Sequence, residues 1–267
     1  MIPPQPFTAG VAQFDVITGD TETNLATALQ QTDVLAGKGA DLVLLPEMWS
    51  CGFDNRHLGE HAREVPAILE AVSEKAKKKR TVIAGTVPEE EGDDIYNTLF
   101  VIDRDGSVAG SYRKIHLFTP TGEHNYFSAG STPVACDTSL GRIGLMICYD
   151  LRFPELCRIL ALNGAWTVLV SAQWPVDRIG HWNTLLKARA IENQLFMVAA
   201  NTSGSDEKLT FGGCSRIVSP TGDILGKSED NRAATIIVKI DPREMDKARE
   251  NVTYLDDRSP GSYEGLI

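Results

Sequence analysis

Three residues of reactive type stand just beyond short apolar runs, far apart in the chain. In DLVLLPEMWSCGF (residues 41–53), Glu47 follows an apolar run closed by Pro46. Proline has no N–H to give to a ladder, so the run ends there and Glu47 is presented at a strand end. Bulky Met48 and Trp49 beside it would raise its pKa and suit it to proton transfer. In SYRKIHLF (111–118), Lys114 is flanked by Ile115 and Leu117. Aimed into a pocket, its ammonium is a fixed positive charge for a developing oxyanion. In GLMICYDLRFPE (144–155), Cys148 closes an apolar run and a charged, proline-bearing segment follows. A thiol at such a strand–turn–helix junction is a nucleophile on top of a sheet, with backbone N–H groups near it. Each residue has a plain alternative. Glu47 can be a surface carboxylate or helix cap, Lys114 a solvent-facing side chain, and Cys148 a small buried hydrophobe. Taken together they supply a base, an electrophilic stabiliser and a nucleophile.

The elements that must position them follow from periodicity. Apolar or β-branched runs at 8–14, 42–45, 81–84, 98–102, 143–147, 167–170, 196–200 and 235–240 predict strands. Most lack alternation, as strands covered on both faces do. Helical stripes at 21–36, 65–79, 154–163 and 181–193 lie between them. Strand and helix alternate, so the fold class is α/β. Hairpin-like turns stand at 103–106 (DRDG) and 220–223 (PTGD). The basic run EKAKKKR (74–80) reads as the solvated end of a helix, where cations suit the dipole. No linker or repeat divides residues 1–267, which read as a single domain whose C-terminal tail, 241–267, has a short helical pattern after Asp241 and is irregular over 256–267.

Composition narrows the function classes. A net charge of −10 disfavours nucleic acid and anionic membranes as partners. No apolar run reaches bilayer length, and the N-terminus does not read as a signal peptide. Five cysteines, an odd number at irregular spacing, predict reduced thiols and a cytoplasmic location. No CxxC or HExxH is present and the five histidines are dispersed, so no metal site and no cofactor are expected.

PEMWSCGF, YRKIHLF and GLMICYDLRFPE, in that order, resemble the three signature segments of the nitrilase superfamily of carbon–nitrogen hydrolases. The similarity runs from VAQFDV (11–16) to DPREM (241–245). The resemblance implies a four-layer αββα sandwich and a triad of Glu47, Lys114 and Cys148. Glu47 would take the thiol proton, and Lys114 with the Tyr149 N–H would hold the oxyanion. A thioester on Cys148 would then be hydrolysed by water activated by Glu47. The nearby lysine would also lower the thiol pKa. A second glutamate, Glu123 in TPTGEHNYFSAG (119–130), would orient Lys114 or the substrate amide. Cys51, Cys136, Cys157 and Cys214 have no such context. Members usually dimerise, so a homodimer or higher homo-oligomer is implied, with the C-terminal tail at the contact.

Within the superfamily, YDLRFPEL, SAQWPVDRIGHW and HWNTLLKARAIENQ are most similar to the omega-amidase and deaminated-glutathione amidase branch. That resemblance implies a small-molecule substrate, the terminal amide of a short carboxylic acid such as 2-oxoglutaramate or succinamate. Arg178 would bind the free carboxylate through its guanidinium fork. Trp174 and Tyr149 would wall a small pocket, and Trp182, Arg189 and Glu192 would knit their helix to the sheet. A deaminated-glutathione amidase or a nitrilase would use the same triad. A non-catalytic scaffold keeping the fold is the alternative of another class.

Overall fold

The computed structural model describes residues 5–263 apart from Glu207. The first half of the chain runs β1 (Phe7–Gln13), α1 (Thr21–Gly37), β2 (Leu42–Leu44), α2 (Leu58–Lys79), β3 (Val82–Glu91), β4 (Asp94–Ile102) and β5 (Val108–Arg113). The second runs β6 (Ala135–Thr138), β7 (Gly141–Ile147), α3 (Pro154–Leu162), β8 (Thr167–Ala172), α4 (Ile179–Asn193), β9 (Phe196–Asn201), β10 (Arg216–Val218) and β11 (Ile224–Lys227). Then β12 (Ala234–Ile240) returns to the first sheet, and α5 (Arg243–Asn251) follows. The sheets have strand orders β12-β1-β2-β3-β4-β5 and β11-β10-β9-β8-β7-β6. Strands β1, β2 and β3 are parallel, as are β7, β8 and β9; the flanking strands pair antiparallel.

Side-chain alternation explains the layering. Successive residues of a strand point to opposite faces. Leu42 and Leu44 therefore join Ile143 and Leu145 in the cluster between the sheets, while Val43 and Leu45 join Leu35, Ile68 and Val72 beneath α1 and α2. On the other side α3 packs on β7 and α4 on β9. Gly144 allows that approach, since a Cβ there would stand 3.1 Å from Leu160 Cβ and 3.0 Å from Val168. The result is the expected αββα sandwich. Each central strand is covered twice, which is why its sequence reads as an unbroken apolar run.

The structure departs from the sequence reading at places with physical causes. Helix α2 begins at Leu58, earlier than the expected 65, because it runs through Pro66. Proline forfeits one helical hydrogen bond, but the buried stripe of Leu58, Ala62, Val65, Ile68 and Val72 continues across it. Strands β5, β6, β10 and β11 were not foreseen. β5, β6 and β11 lie at or close to sheet edges, with half-solvated sequences such as VAGSYR and ILGK. The two turns do close hairpins: Gly106 N–H donates to Asp103 O (2.9 Å) and Gly222 N–H to Ser219 O (2.9 Å). In the basic run, Lys75 and Lys79 both reach Asp33 of α1, at 2.7 and 3.0 Å. The tail at 241–267 holds α5 and a turn at Pro260–Tyr263; residues 264–267 lie outside the described residues. No helix among the described residues is long and apolar enough to cross a membrane.

Candidate active site

Strand β2 of one sheet and strand β7 of the other run out toward Glu47 and Cys148, which stand three residues and one residue past their ends. The two sheets are tied together there. Ser171 Oγ donates to Leu45 O (2.8 Å) and the Gln173 amide donates to Glu47 O (2.9 Å). Both ends break sharply: Met48 has φ 46° and Cys148 has φ 45°. A left-handed conformation is costly for residues with a Cβ and persists only where surroundings enforce it. At Met48 the enforcement includes its N–H donating to Thr86 Oγ1 (2.6 Å). At Cys148 the chain leaves β7 directly into a tight helical turn, Cys148–Arg152. The first N–H groups of such a turn have no partner within it, and Tyr149 N–H is one of them.

Lys114 follows the last residue of β5. Its N–H donates to Asn97 O (2.9 Å), so the two residues face each other one step beyond the Thr98–Arg113 rung. The side chain is 1% exposed and is bound by two carboxylates: Nζ lies 2.9 Å from Glu47 Oε1, and 2.8 and 2.9 Å from the two oxygens of Glu123. Glu123 is itself fixed by the Phe118 N–H (2.6 Å). Glu47 accepts from Lys114 and from Asn97 Nδ2 (2.9 Å) on Oε1, from the Gln173 N–H (2.9 Å) on Oε2, and from the Cys148 thiol. Glu47, Lys114, Glu123 and Cys148 thus converge on one point, although they are scattered over a hundred residues.

Burial decides the electrostatics. It pushes the Glu47 carboxyl up, and the charge of Glu123 adds to this against the pull of Lys114. Burial alone would push Lys114 down, yet Glu47 and Glu123 outweigh it and hold the ammonium well above its usual range. The Cys148 thiol is held well above the usual range by burial and by the Glu47 charge, despite Lys114. The expected lowering by Lys114 does act on the thiol, but burial and the Glu47 charge outweigh it. A buried thiol held that high needs a neighbouring base to take its proton, and Glu47 is the carboxyl beside it. The remaining cysteines lack a carboxylate–lysine pair. Burial raises Cys51 and Cys157 to about 12 and Cys136 to about 11, and it also raises Cys214.

Two groups that sequence reasoning missed hold this cluster. Asn97, fully buried, bridges toward Glu47 and, at 3.5 Å, Glu123. Asp150, also fully buried, accepts the Ile147 N–H (2.9 Å) and the Tyr112 hydroxyl (2.8 Å) on Oδ2. Its Oδ1 accepts the His116 N–H (3.1 Å) and meets His116 Nδ1 at 2.8 Å. Asp150 therefore binds the lysine segment, residues 112–116, to the turn that carries Cys148. The signal available was only its position, two residues after the cysteine in CYD.

Around the turn that carries Cys148 stand aromatic rings and two arginines. Phe118, Tyr149 and Phe153 meet edge to face, at centroid distances of 4.9 and 5.3 Å. Arg178 is exposed and lies over Phe118, 5.4 Å from the ring centre. Trp174 is buried; its indole N–H donates to Arg178 O (2.8 Å), and Arg152 covers its face at 4.8 Å. Arg152, four residues after Cys148, was not singled out from the sequence. Arg189 and Trp182 do join α4 to its surroundings, through Leu151 O (3.1 Å) and Cys214 O (3.0 Å).

Comparison with known proteins places this geometry. The family model for carbon–nitrogen hydrolase matches residues 8–250. A 2-oxoglutaramate amidase of Bacillus subtilis is 37% identical, covering 94% of this chain and 97% of its own. A chloroplastic omega-amidase of Arabidopsis thaliana is 36% identical, covering 92% and 70%. Among solved structures, a mutant of the amidase from Nesterenkonia sp. AN1 superposes with a TM-score of 0.88 at 25% identity, covering 100% of this chain and 98% of that one. It shows covalent addition of the acetamide moiety of fluoroacetamide at its active-site cysteine.

Proposed function

The chain belongs to the carbon–nitrogen hydrolase family, and from that premise we propose that it hydrolyses the terminal amide of a small carboxylic acid, such as 2-oxoglutaramate or succinamate, through a thioester on Cys148. The observation that carries the reading is the shared carboxylate: Glu47 accepts from both the Cys148 thiol and, at 2.9 Å, the Lys114 ammonium.

Glu47 takes the thiol proton as sulfur attacks the amide carbon. Carbonyl oxygen becomes an oxyanion held by Lys114 Nζ and the Tyr149 N–H, in a site where low dielectric strengthens both. The C–N bond breaks as Glu47 returns its proton to nitrogen, and ammonia leaves. A water then gives a proton to Glu47 and adds to the thioester. The C–S bond breaks, the carboxylic acid product departs, and the thiolate recovers its proton. Glu123 keeps Lys114 charged and placed throughout. Arg178 and Arg152 near the Cys148 turn supply cations for the substrate's free carboxylate, above the aromatic wall of Tyr149 and Trp174.

The reading treats residues 1–267 as one hydrolase domain, supported by a core cluster that spans both sheets. It includes a homodimer: Ile159, Leu162, Ile191 and Val252 are exposed on α3, α4 and the tail. A cytoplasmic location is supported by five unpaired thiols. Ammonia release from 2-oxoglutaramate, succinamate, a deaminated glutathione and an aliphatic nitrile, with Cys148→Ala as control, tests it. Cys148-dependent turnover of the first two supports the reading, and turnover only of the others rejects the substrate.

A further inference from the structure

Asn97, on β4, serves Lys114 with its backbone and the two carboxylates with its side chain. Its carbonyl oxygen accepts the Lys114 N–H at 2.9 Å. Its Nδ2 donates to Glu47 Oε1 at 2.9 Å, the oxygen that also meets Lys114 Nζ, and reaches Glu123 Oε1 at the longer distance of 3.5 Å. Among the described residues, Lys114 and Asn97 are the two side chains that donate to both carboxylates.

The neighbours fix which way the amide points. Turned about, Asn97 would set Oδ1 against the oxygens of Glu47 and Glu123, acceptor against acceptor. As it stands, Asn97 is fully buried and its Oδ1 has no hydrogen-bond partner among the described residues. An orphaned buried carbonyl is costly. A leucine of similar size would avoid that cost, so the reason for an amide lies in what its N–H₂ does.

Charge indicates what that is. Lys114 is a single ammonium between two carboxylates. With both ionised, the three groups carry one negative charge in excess, and burial pushes Glu47 toward its neutral form. The groups that face Glu47 are Lys114, Glu123, the Cys148 thiol, the Gln173 N–H and Asn97. Glu123 opposes ionisation of Glu47 and the others favour it. A hydrogen bond to the charged form favours that form, and Asn97 supplies one from a neutral group, with no second cation to desolvate.

We propose that Asn97 is a positioning residue for the reaction: its N–H₂ holds Glu47 Oε1 beside Lys114 and keeps the carboxylate in the charged form that takes the Cys148 proton. The inference rests on the reading of Glu47 as the base of the hydrolysis.

Two pH profiles test it in the wild type, Asn97→Leu and Asn97→Ala. One is iodoacetamide alkylation, followed on the Cys148 peptide; the other is kcat/KM for ammonia release from 2-oxoglutaramate. Loss of the donor should move the acid limb of both profiles up by about one pH unit. That is a tenfold loss below the limb which disappears on the plateau above it, with KM near wild type. Alkylation needs no substrate, so a shifted alkylation limb without ammonia release would keep this role for Asn97 and reject the proposed hydrolysis. Alanine fits where leucine crowds, and thermal unfolding shows which variant folds. A limb that stays in place in a folded variant, a loss by the same factor at every pH, or failure of both variants to fold would overturn the proposal and leave Asn97 a structural residue.

Discussion

The Tyr112 hydroxyl donates to Asp150 Oδ2 at 2.8 Å, across the interior between the two sheets. Tyr112 is two residues before Lys114 and Asp150 two after Cys148, so this bond sets the spacing of ammonium and sulfur. Burial and the Asp150 charge hold the phenol far above its usual range, so it keeps the proton it donates, while its oxygen accepts the Ile115 N–H at 3.2 Å. Tyr112→Phe leaves a buried carboxylate short of a donor. It should cost about 1.5–3 kcal/mol in urea unfolding and lower kcat more than it raises KM. Unchanged stability and kcat would show that the bond positions nothing.

Lys114 is the sole ammonium between Glu47 and Glu123 among the described residues, and it is as buried as they are. Removing one partner of a buried ion pair strands the other charges. Lys114→Met should lose about 3–5 kcal/mol of stability along with ammonia release. Adding Glu123→Gln should restore part of the stability and none of the activity. Thermal and urea unfolding of the single and double variants check this, and a Lys114→Met protein as stable as the wild type would contradict it.

Protonation of Glu47 removes the base, so kcat/KM should fall as pH drops through the apparent pKa of the cluster. Burial raises that value, so the acid limb should lie above the ordinary carboxylate range. The thiol, also raised, stays protonated at neutral pH unless Glu47 accepts its proton. Alkylation of Cys148 by iodoacetamide at pH 7 should therefore slow about a hundredfold in Glu47→Gln. An unchanged alkylation rate would mean that the thiolate forms without Glu47.

Much of this was legible in sequence, and the limits have physical causes. Doubly covered strands such as β2 and β7 announce themselves as apolar runs, which places Glu47 and Cys148 just past strand ends, but reading them as reactive took the three motifs together. Lys114 was legible only through its motif, since nothing in YRKIHLF separates a buried lysine from an exposed one. Asn97 and Asp150 escaped because their partners lie 50 and 38 residues away, at Glu47 and Tyr112. The state of the thiol escaped too. It depends on a balance between burial, Glu47 and Lys114 that only the assembled site decides.

Two cations stand on aromatic rings near the Cys148 turn, Arg178 over Phe118 and Arg152 over Trp174. Each charge-assisted bond to a substrate carboxylate is worth a tenfold change or more. Arg178→Ala and Arg152→Ala should each raise KM for succinamate about tenfold and leave kcat and the KM for uncharged propionamide near wild type. Steady-state kinetics on both substrates decides it. Equal losses on the two amides would assign the arginines to structure and not to carboxylate recognition.

The central claim is that Cys148 carries the acyl group. Acid-quenched turnover of 2-oxoglutaramate, followed by peptide mass spectrometry, tests it most directly. The account predicts an adduct on the Cys148 peptide with the mass of the substrate less ammonia, absent from Cys148→Ala, which releases no ammonia. An adduct on another residue, or ammonia release that survives Cys148→Ala, would contradict it.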